Sequence, residues 1–255
     1  MGFNILRMLL FTLWGLVIGL IVGFTAIGKG ILGTPGLMIL FGLKPVIAVG
    51  TMGLAGVVMM LSSVVAHVKE KNIEWRIAGL FSIAAIPASY LSAHKADAIN
   101  EVLPLKMVVG VVILISVALL FYRYVIMKPS PRELEVRKWH LCISPFLGVI
   151  LGAFMGATSI SGSIIVIAFL LILKLPSPIA IGTTSVVAAI SLAVAAFAHI
   201  SEMHIDWNAF IGLVPGVILG GAIGAKYVRK VPRQVLRYAI LVILVVAGVV
   251  VLLKA

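Results

Sequence analysis

The feature that most constrains this chain is a series of long apolar runs separated by short polar loops. At a rise of 1.5 Å per residue, a helix of about 20 apolar residues crosses the hydrocarbon core of a bilayer. Runs of this kind lie at about 8–24, 46–66, 77–94, 105–122, 141–157, 179–198, 208–225 and 236–253. Two shorter apolar runs lie at 31–43 and 164–173. The pattern predicts an all-α polytopic membrane protein.

The composition excludes other classes of protein. Hydrophobic residues make up 62% of the 255 residues and charged residues only 11%, against about a quarter charged in soluble domains. A water-soluble enzyme of this size could not bury so much apolar surface. The single cysteine, Cys142, excludes an internal disulfide framework.

The two halves of the sequence match each other. These residues coincide under a shift of 132: Ala48 and Ala180, Gly50 and Gly182, Thr51 and Thr183, His67 and His199, Ile73 and Ile205, Glu74 and Asp206, Trp75 and Trp207. Under a shift of 133 these coincide: Gly19 and Gly152, Gly23 and Gly156, Thr25 and Thr158, Ile27 and Ile160. Shared hydrophobicity cannot place histidine, acid and tryptophan in register. We therefore predict a membrane repeat at 1–126, a cytoplasmic linker at 127–140 and a second membrane repeat at 141–255.

The basic residues indicate how many segments cross. If only the eight long runs cross, the 20 Lys and Arg residues divide equally between the two faces. If the two short runs cross as well, fifteen lie on one face, and Arg7, Lys44, Lys95, Lys106 and Lys254 lie on the other. Because cytoplasmic loops are rich in Lys and Arg, this division places both termini outside. The net charge of +12 then orients the protein against the cytoplasmic leaflet and does not indicate a nucleic-acid partner.

Five segments per half make the second repeat inverted relative to the first, a recurring plan of secondary transporters. Each repeat would contain four full spans and one short half-helix. The alternative is that the short runs are re-entrant or surface helices and that the division of charge arose by chance. The expected location is the plasma (inner) membrane.

The short runs point to a substrate site. A helix of 13 residues is about 20 Å long, so it cannot cover the ~30 Å hydrocarbon core, and its N-terminus is expected inside the membrane. Free N–H groups and the helix dipole at such an end favour an anion. The candidate substrate-binding residues are Gly28, Lys29, Gly30, Thr34, Thr51, Thr158, Ser159, Ser161, Gly162, Ser163, Thr183 and Thr184.

Each of these candidates also has a plainer interpretation. Glycine and serine allow close helix packing, Lys29 could extend to the inner surface, and the threonines could bond the preceding helical turn. His67 and His199 end equivalent spans, where they could pack at the interface or sense pH.

The acidic residues favour an anion over a cation. All eight Asp and Glu residues lie in loops or at segment ends, whereas cation and proton pathways usually place a carboxylate within the membrane. The sequence contains no metal-ligand spacing, no nucleophile–base pair and no Walker-type loop. We therefore expect no catalytic residues, metal or cofactor.

Several short motifs together resemble a known family. Residues 28–35 read G-K-G-x-x-x-x-P, 44–51 read K-P-x-x-A-x-G-T and 72–76 read N-I-E-W-R. The second half repeats them as S-P-x-A-I-G-T-T at 177–184 and I-D-W at 205–207. In order and spacing these motifs resemble the sulfite exporter TauE/SafE family. The resemblance implies a membrane permease for small sulfur-containing anions such as sulfite or sulfonates.

The leading hypothesis is a secondary transporter that moves a small anion by alternating access. An anion channel would share the site but needs a continuous pore. A membrane enzyme or assembly factor for a lipid-linked substrate would need polar groups near one interface, and His67, Glu70 and Glu74 are the one cluster that suggests it. The expected partners are a small anionic substrate and the lipid bilayer.

Overall fold

The computed structural model describes residues 5–25, 29–125, 138–160 and 162–227, together with six single positions from 242 to 253. Ten helices lie in the four continuous ranges: α1 (Ile5–Thr25), α2 (Lys29–Leu40), α3 (Pro45–Lys69), α4 (Trp75–His94), α5 (Ala96–Val102), α6 (Leu105–Val125), α7 (Lys138–Thr158), α8 (Gly162–Leu171), α9 (Ser177–Ser201) and α10 (Trp207–Tyr227). The predicted span at 236–253 and most of the predicted linker lie outside these ranges.

Six of these helices, α1, α3, α4, α7, α9 and α10, are long and apolar enough to cross a membrane. A seventh candidate is the pair α5 and α6, which are bent by 88° relative to each other. The protein is therefore all-helical with six to seven candidate membrane spans in its described part, which confirms the helical membrane class predicted from the apolar runs.

The apolar runs predict most helix positions to within a few residues. The two short runs form separate helices of 12 and 10 residues, α2 and α8. These helices are about 18 Å and 15 Å long, so neither covers the hydrocarbon core by itself. Helix α5 was not predicted, because its seven residues include two acids and do not form an apolar run.

Both short helices end in the same way. Gly42 and Lys174, shortly after α2 and α8, have positive φ angles of 68° and 51°. The Leu43 N–H then donates to the Leu37 carbonyl at 3.1 Å, and the Leu175 N–H donates to the Phe169 carbonyl at 3.0 Å. A left-handed residue followed by a bond back into the last turn is a common helix C-terminus. A proline in the first turn of α3 and of α9 then starts the next helix.

Helices α3 and α9 lie at the centre of the fold and pack against each other. The apolar segments of α3 and α9 are 65% and 72% buried inside the protein, whereas those of α1, α4, α7 and α10 are between 22% and 44% buried. The outer helices form two close pairs, α1 with α10 and α4 with α7. Glycine permits both approaches, because a Cβ at Gly15 or at Gly148 would collide with a backbone carbonyl of the partner helix.

Candidate functional site

The backbone is broken between α7 and α8, at Ser159 and Ile160. Ser159 has a φ of 57°, a left-handed conformation that is uncommon outside glycine. It is only 3% exposed, and its hydroxyl donates a hydrogen bond to the Val49 carbonyl of α3. Non-helical backbone at membrane depth is tolerated where the surrounding protein satisfies it. The break is therefore held in place by its contact with α3.

The first turn of α2 meets this break. A Cβ added at Gly30 would collide with the Ser159 carbonyl and would lie 2.8 Å from Ile160 Cα. A Cβ at Gly53 of α3 would lie 2.9 Å from Ser159 Oγ. Gly53 is eight residues after Pro45, so the break lies about 12 Å along α3 from its N-terminus. The structure thus brings two of the predicted site residues, Gly30 and Ser159, together, with Gly53 of α3 next to Ser159.

Thr158 stabilises the end of α7 next to this break. Its hydroxyl donates to the Phe154 carbonyl at 2.7 Å and accepts a bond from the Ile160 N–H at 3.2 Å. Thr158 is fully buried. Both bonds are local, so this side chain holds the chain as it leaves the helix.

Two other predicted residues are buried and have no hydrogen-bond partner among the residues that the structure describes. Thr34 of α2 is 0% exposed and Thr184 of α9 is 3% exposed. A buried hydroxyl without a partner loses its hydration and gains nothing in return. The described residues therefore leave both buried hydroxyls unsatisfied.

Thr51 and Thr183 contact loops and are not part of the break. Thr51 Oγ1 accepts the Asp206 N–H at 3.0 Å, and Thr183 Oγ1 accepts the Glu74 N–H at 3.0 Å. Each threonine lies in the second turn of its central helix, and each loop residue precedes α10 or α4. The two bonds join residues that coincide under the shift of 132.

The remaining predicted residues are described only in part. Gly28 and Ser161 lie outside the described residues. Lys29 is the first residue of α2, and Gly162 and Ser163 begin α8, but nothing is described of their side chains. Within the described part of the chain, no group of three or more His, Cys, Asp or Glu residues could hold a metal ion.

The sequence analysis missed one polar cluster. His204 Nε2 lies 2.8 Å from Asp97 Oδ2, and His204 Nδ1 lies 3.4 Å from His199 Nδ1. Beside it, His94 Nδ1 lies 2.7 Å from Glu202 Oε1. The sequence repeat did contain a signal for this cluster. His204 aligns with Asn72 there, so the second half has a titratable imidazole where the first half has an amide.

The comparison with known proteins identifies the family. The sequence model of the family described as sulfite exporter TauE/SafE matches residues 11–251. The chain belongs to this family. The assignment confirms the resemblance seen in the motifs, and it makes this TauE/SafE chain a multi-pass membrane transporter and not an enzyme.

Curated relatives carry consistent names. The chain is similar to the probable membrane transporter proteins YjnA and YunE of Bacillus subtilis (strain 168), with 27% and 24% identity. The YjnA alignment covers 91% of this chain and 95% of its relative, and the YunE alignment covers 92% and 93%. A probable membrane transporter protein of Methanocaldococcus jannaschii, MJ0441, is 28% identical over 64% of this TauE/SafE chain and 61% of its own length. No solved structure matches the chain significantly.

Proposed function

We propose that this TauE/SafE protein is a secondary transporter that moves a small anion across the plasma membrane by alternating access. The anion is sulfite, a sulfonate or another sulfur oxyanion. The observation that carries the proposal is the meeting of the α2 N-terminus with the α7–α8 break. There Gly30 approaches the backbone of Ser159 and Ile160 so closely that a side chain would not fit.

The chemistry of this region suits an anion. The N-terminus of α2 presents free N–H groups and the positive end of a helix dipole. Thr34, one turn after Gly30 on α2, has a buried hydroxyl without a partner among the described residues and adds a neutral donor, and Thr184 of α9 is a second such hydroxyl. Lys29, the first residue of α2, would contribute a full positive charge, and Ser161, Gly162 and Ser163 would complete the corresponding end of α8. No span centre contains an Asp or Glu that would favour a cation.

Paired contacts support the division of the chain into two inverted repeats. The bond from the Glu74 N–H to Thr183 has its counterpart in the bond from the Asp206 N–H to Thr51. Likewise α1 packs on α10 as α7 packs on α4, and α1 and α10 correspond to α7 and α4 in the repeat. In each pair of contacts, the residue or helix that the first half contributes to one contact is replaced in the other by its counterpart from the second half. A two-fold axis between the two halves produces such pairs of contacts.

Two contacts between distant residues support the crossing of the second short segment, α8. Three long runs separate Asp97 from His204, so these residues would lie on opposite faces if only long runs crossed. They are instead 2.8 Å apart. His140, at the start of α7, donates from Nε2 to the Leu173 carbonyl after α8 at 3.0 Å. Each contact is expected if α8 adds one further crossing between the two residues.

A flux assay tests the transport function. Purified protein in liposomes is supplied with ³⁵S-labelled sulfite, methanesulfonate or sulfoacetate, with labelled phosphate and nitrate as control anions. We expect saturable flux of at least one sulfur anion in the wild type and a loss of tenfold or more in Lys29→Ala. Lys44→Ala is the matched control, because Lys44 is exposed just before α3 and should leave the flux unchanged.

Three results would contradict the proposal. The first is no saturable flux of any sulfur anion. The second is a Lys29→Ala protein that transports like the wild type while eluting as a folded monodisperse species. The third is single-channel current in planar bilayers, which would indicate an anion channel in place of alternating access.

A further inference from the structure

A chain of three titratable side chains leads from the surface into the protein. Asp97 of α5 has a side chain that is 70% exposed, and His204, in the loop before α10, is 7% exposed. His199, near the end of α9, is 1% exposed. His204 lies within hydrogen-bond distance of both other residues, 2.8 Å from Asp97 and 3.4 Å from His199. The exposed acid is therefore connected to a fully buried imidazole.

The hydrogen-bond partners of the two imidazole rings determine which ring nitrogens carry a hydrogen. His199 Nε2 is 3.0 Å from the Gly156 carbonyl, which can only accept, so this nitrogen carries a hydrogen. In the neutral ring, His199 Nδ1 is then an acceptor, so His204 Nδ1 must donate to it. The remaining contact, from His204 Nε2 to the Asp97 carboxylate, requires a second hydrogen on His204 or a proton on Asp97. The complete chain therefore holds one proton more than neutral imidazoles and a free carboxylate would hold.

The buried end of the Asp97–His204–His199 chain lies at the candidate site. The last carbonyl groups of a helix have no partner within the helix. In α7 the Met155 carbonyl accepts the Ser159 N–H at 2.8 Å, and the next carbonyl, that of Gly156, accepts from His199. His199 thus caps the helix end from which the α7–α8 break starts.

Few other charged groups lie near Asp97, His204 and His199. On α4 and α9, His94 and Glu202 pair with each other at 2.7 Å, and Lys95 is exposed between α4 and α5. On α5, Glu101 is exposed, and before α10, Asp206 Oδ1 accepts the Ala209 N–H. The facing stretches of α3 (45–53) and α7 (151–158) contain no titratable residue.

Among the described residues, the first half of the protein shows no equivalent of this chain of side chains. At the position of His204 it has Asn72, and each residue packs its carbonyl against a glycine, Gly182 for Asn72 and Gly50 for His204. An amide cannot bind a proton in the physiological range. The asymmetry places a titratable group on one side of an otherwise matched pair of loops.

We propose that Asp97, His204 and His199 form the binding site for a proton that moves together with the anion. This inference rests on the proposed transport function. When the proton leaves through Asp97 to water, the two neutral imidazoles hold two hydrogens for three contacts, those to Asp97, between the rings and to Gly156. One of the three bonds must then break. If His199 donates from Nδ1 to keep the bond between the rings, its Nε2 can no longer cap Gly156, and this exchange links protonation to the geometry of the break. A proton carried with a monovalent anion also cancels the charge that crosses the membrane.

The test uses liposomes clamped at zero membrane potential with a gradient of one pH unit. Methanesulfonate is the main probe because its charge is constant between pH 6 and 8, and sulfite is run in parallel. With one proton per anion, the wild type should accumulate the anion up to about tenfold on the alkaline side. His204→Asn, which copies Asn72, and Asp97→Asn should keep downhill flux but lose this accumulation.

The control is His94→Gln, which removes a histidine–carboxylate pair on the same face but outside the chain. It should accumulate the anion as the wild type does. Accumulation by His204→Asn equal to that of the wild type would overturn the inference. So would wild-type flux that ignores the pH gradient, although transport itself would then stand.

A second measurement is independent of transport. In ¹⁵N-histidine-labelled protein in nanodiscs, the resonances of His199 and His204 should change together at one titration midpoint in the wild type. Asp97→Asn should shift that midpoint, whereas His94→Gln should not. Independent titration of the two rings would overturn the inference. Linked titration in a protein without anion flux would support the proton site while the transport proposal failed.

Discussion

At the scale of single residues, the hydroxyls of Thr51 and Thr183 illustrate how a polar side chain can be used inside a membrane protein. Each accepts the N–H of a loop residue that lies more than a hundred positions away, at 3.0 Å. The corresponding roles of the two residues indicate that both stabilise a helix–loop junction. Any contact with substrate would be additional to this bond.

Replacing either threonine with valine tests this role. Thr51→Val and Thr183→Val keep the side-chain shape but leave a partly buried N–H without a partner, so each should lower the free energy of unfolding by about 1–3 kcal/mol. Unfolding in mixed micelles measures the change. Ser201→Ala is the control, because the Ser201 hydroxyl donates within its own helix, to the Ala198 carbonyl. If the two substitutions lower the free energy of unfolding by clearly different amounts, Thr51 and Thr183 do not have corresponding roles.

At the scale of helices, the close pair α1 and α10 depends on positions where a side chain would not fit. A Cβ at Gly216 would collide with the Thr12 carbonyl and lie 2.6 Å from the Leu16 nitrogen. At Gly221, on the same helix, nothing lies within 4 Å. Between helices in a bilayer, such backbone contact replaces the hydrophobic effect as a source of stability.

Alanine at these two glycines should therefore have opposite effects. Gly216→Ala forces α1 and α10 apart and should reduce stability by about 1–3 kcal/mol. Gly221→Ala lowers the conformational freedom of the unfolded chain without a clash, so it should be neutral or stabilise by up to about 1 kcal/mol. Thermal unfolding in detergent compares both variants with the wild type, and equal destabilisation would argue against the packing described.

At the scale of the whole molecule, the crossing of the short helices decides the topology. If α2 and α8 both return the chain to the opposite face, Lys95 and Met203 lie on one side of the membrane and Lys71 lies on the other. Because cytoplasmic loops are rich in Lys and Arg, we expect Lys71 on the cytoplasmic side. All three side chains are exposed.

Cysteine labelling tests this arrangement. In a Cys142→Ser background, single cysteines at Lys95 and Met203 should react with an impermeant maleimide added outside the cell. A cysteine at Lys71 should react only in inverted vesicles. If Lys95 and Met203 label from opposite sides, α8 does not cross, and the inverted arrangement of the repeats fails with it.

The sequence alone determined the properties that depend on local hydrophobicity and on residues in register. Bilayer thickness sets the length of an apolar run, so the runs indicate helices such as α3 and α9, and the repeat follows from matched histidine, acid and tryptophan residues. The break at Ser159 was indicated by the short apolar run that follows it. Helix α5 was missed because it is short and polar and lies at a helix–helix corner.

Only the tertiary structure decided which distant groups meet. The approach of Gly30 to Ser159, the partners of Thr51 and Thr183, and the chain from Asp97 to His199 each join residues about a hundred or more positions apart. Such contacts depend on how the helices pack together, which local hydropathy does not specify. The sequence therefore determined what kind of molecule this is and where its helices lie, and packing decided which of its polar groups can act together.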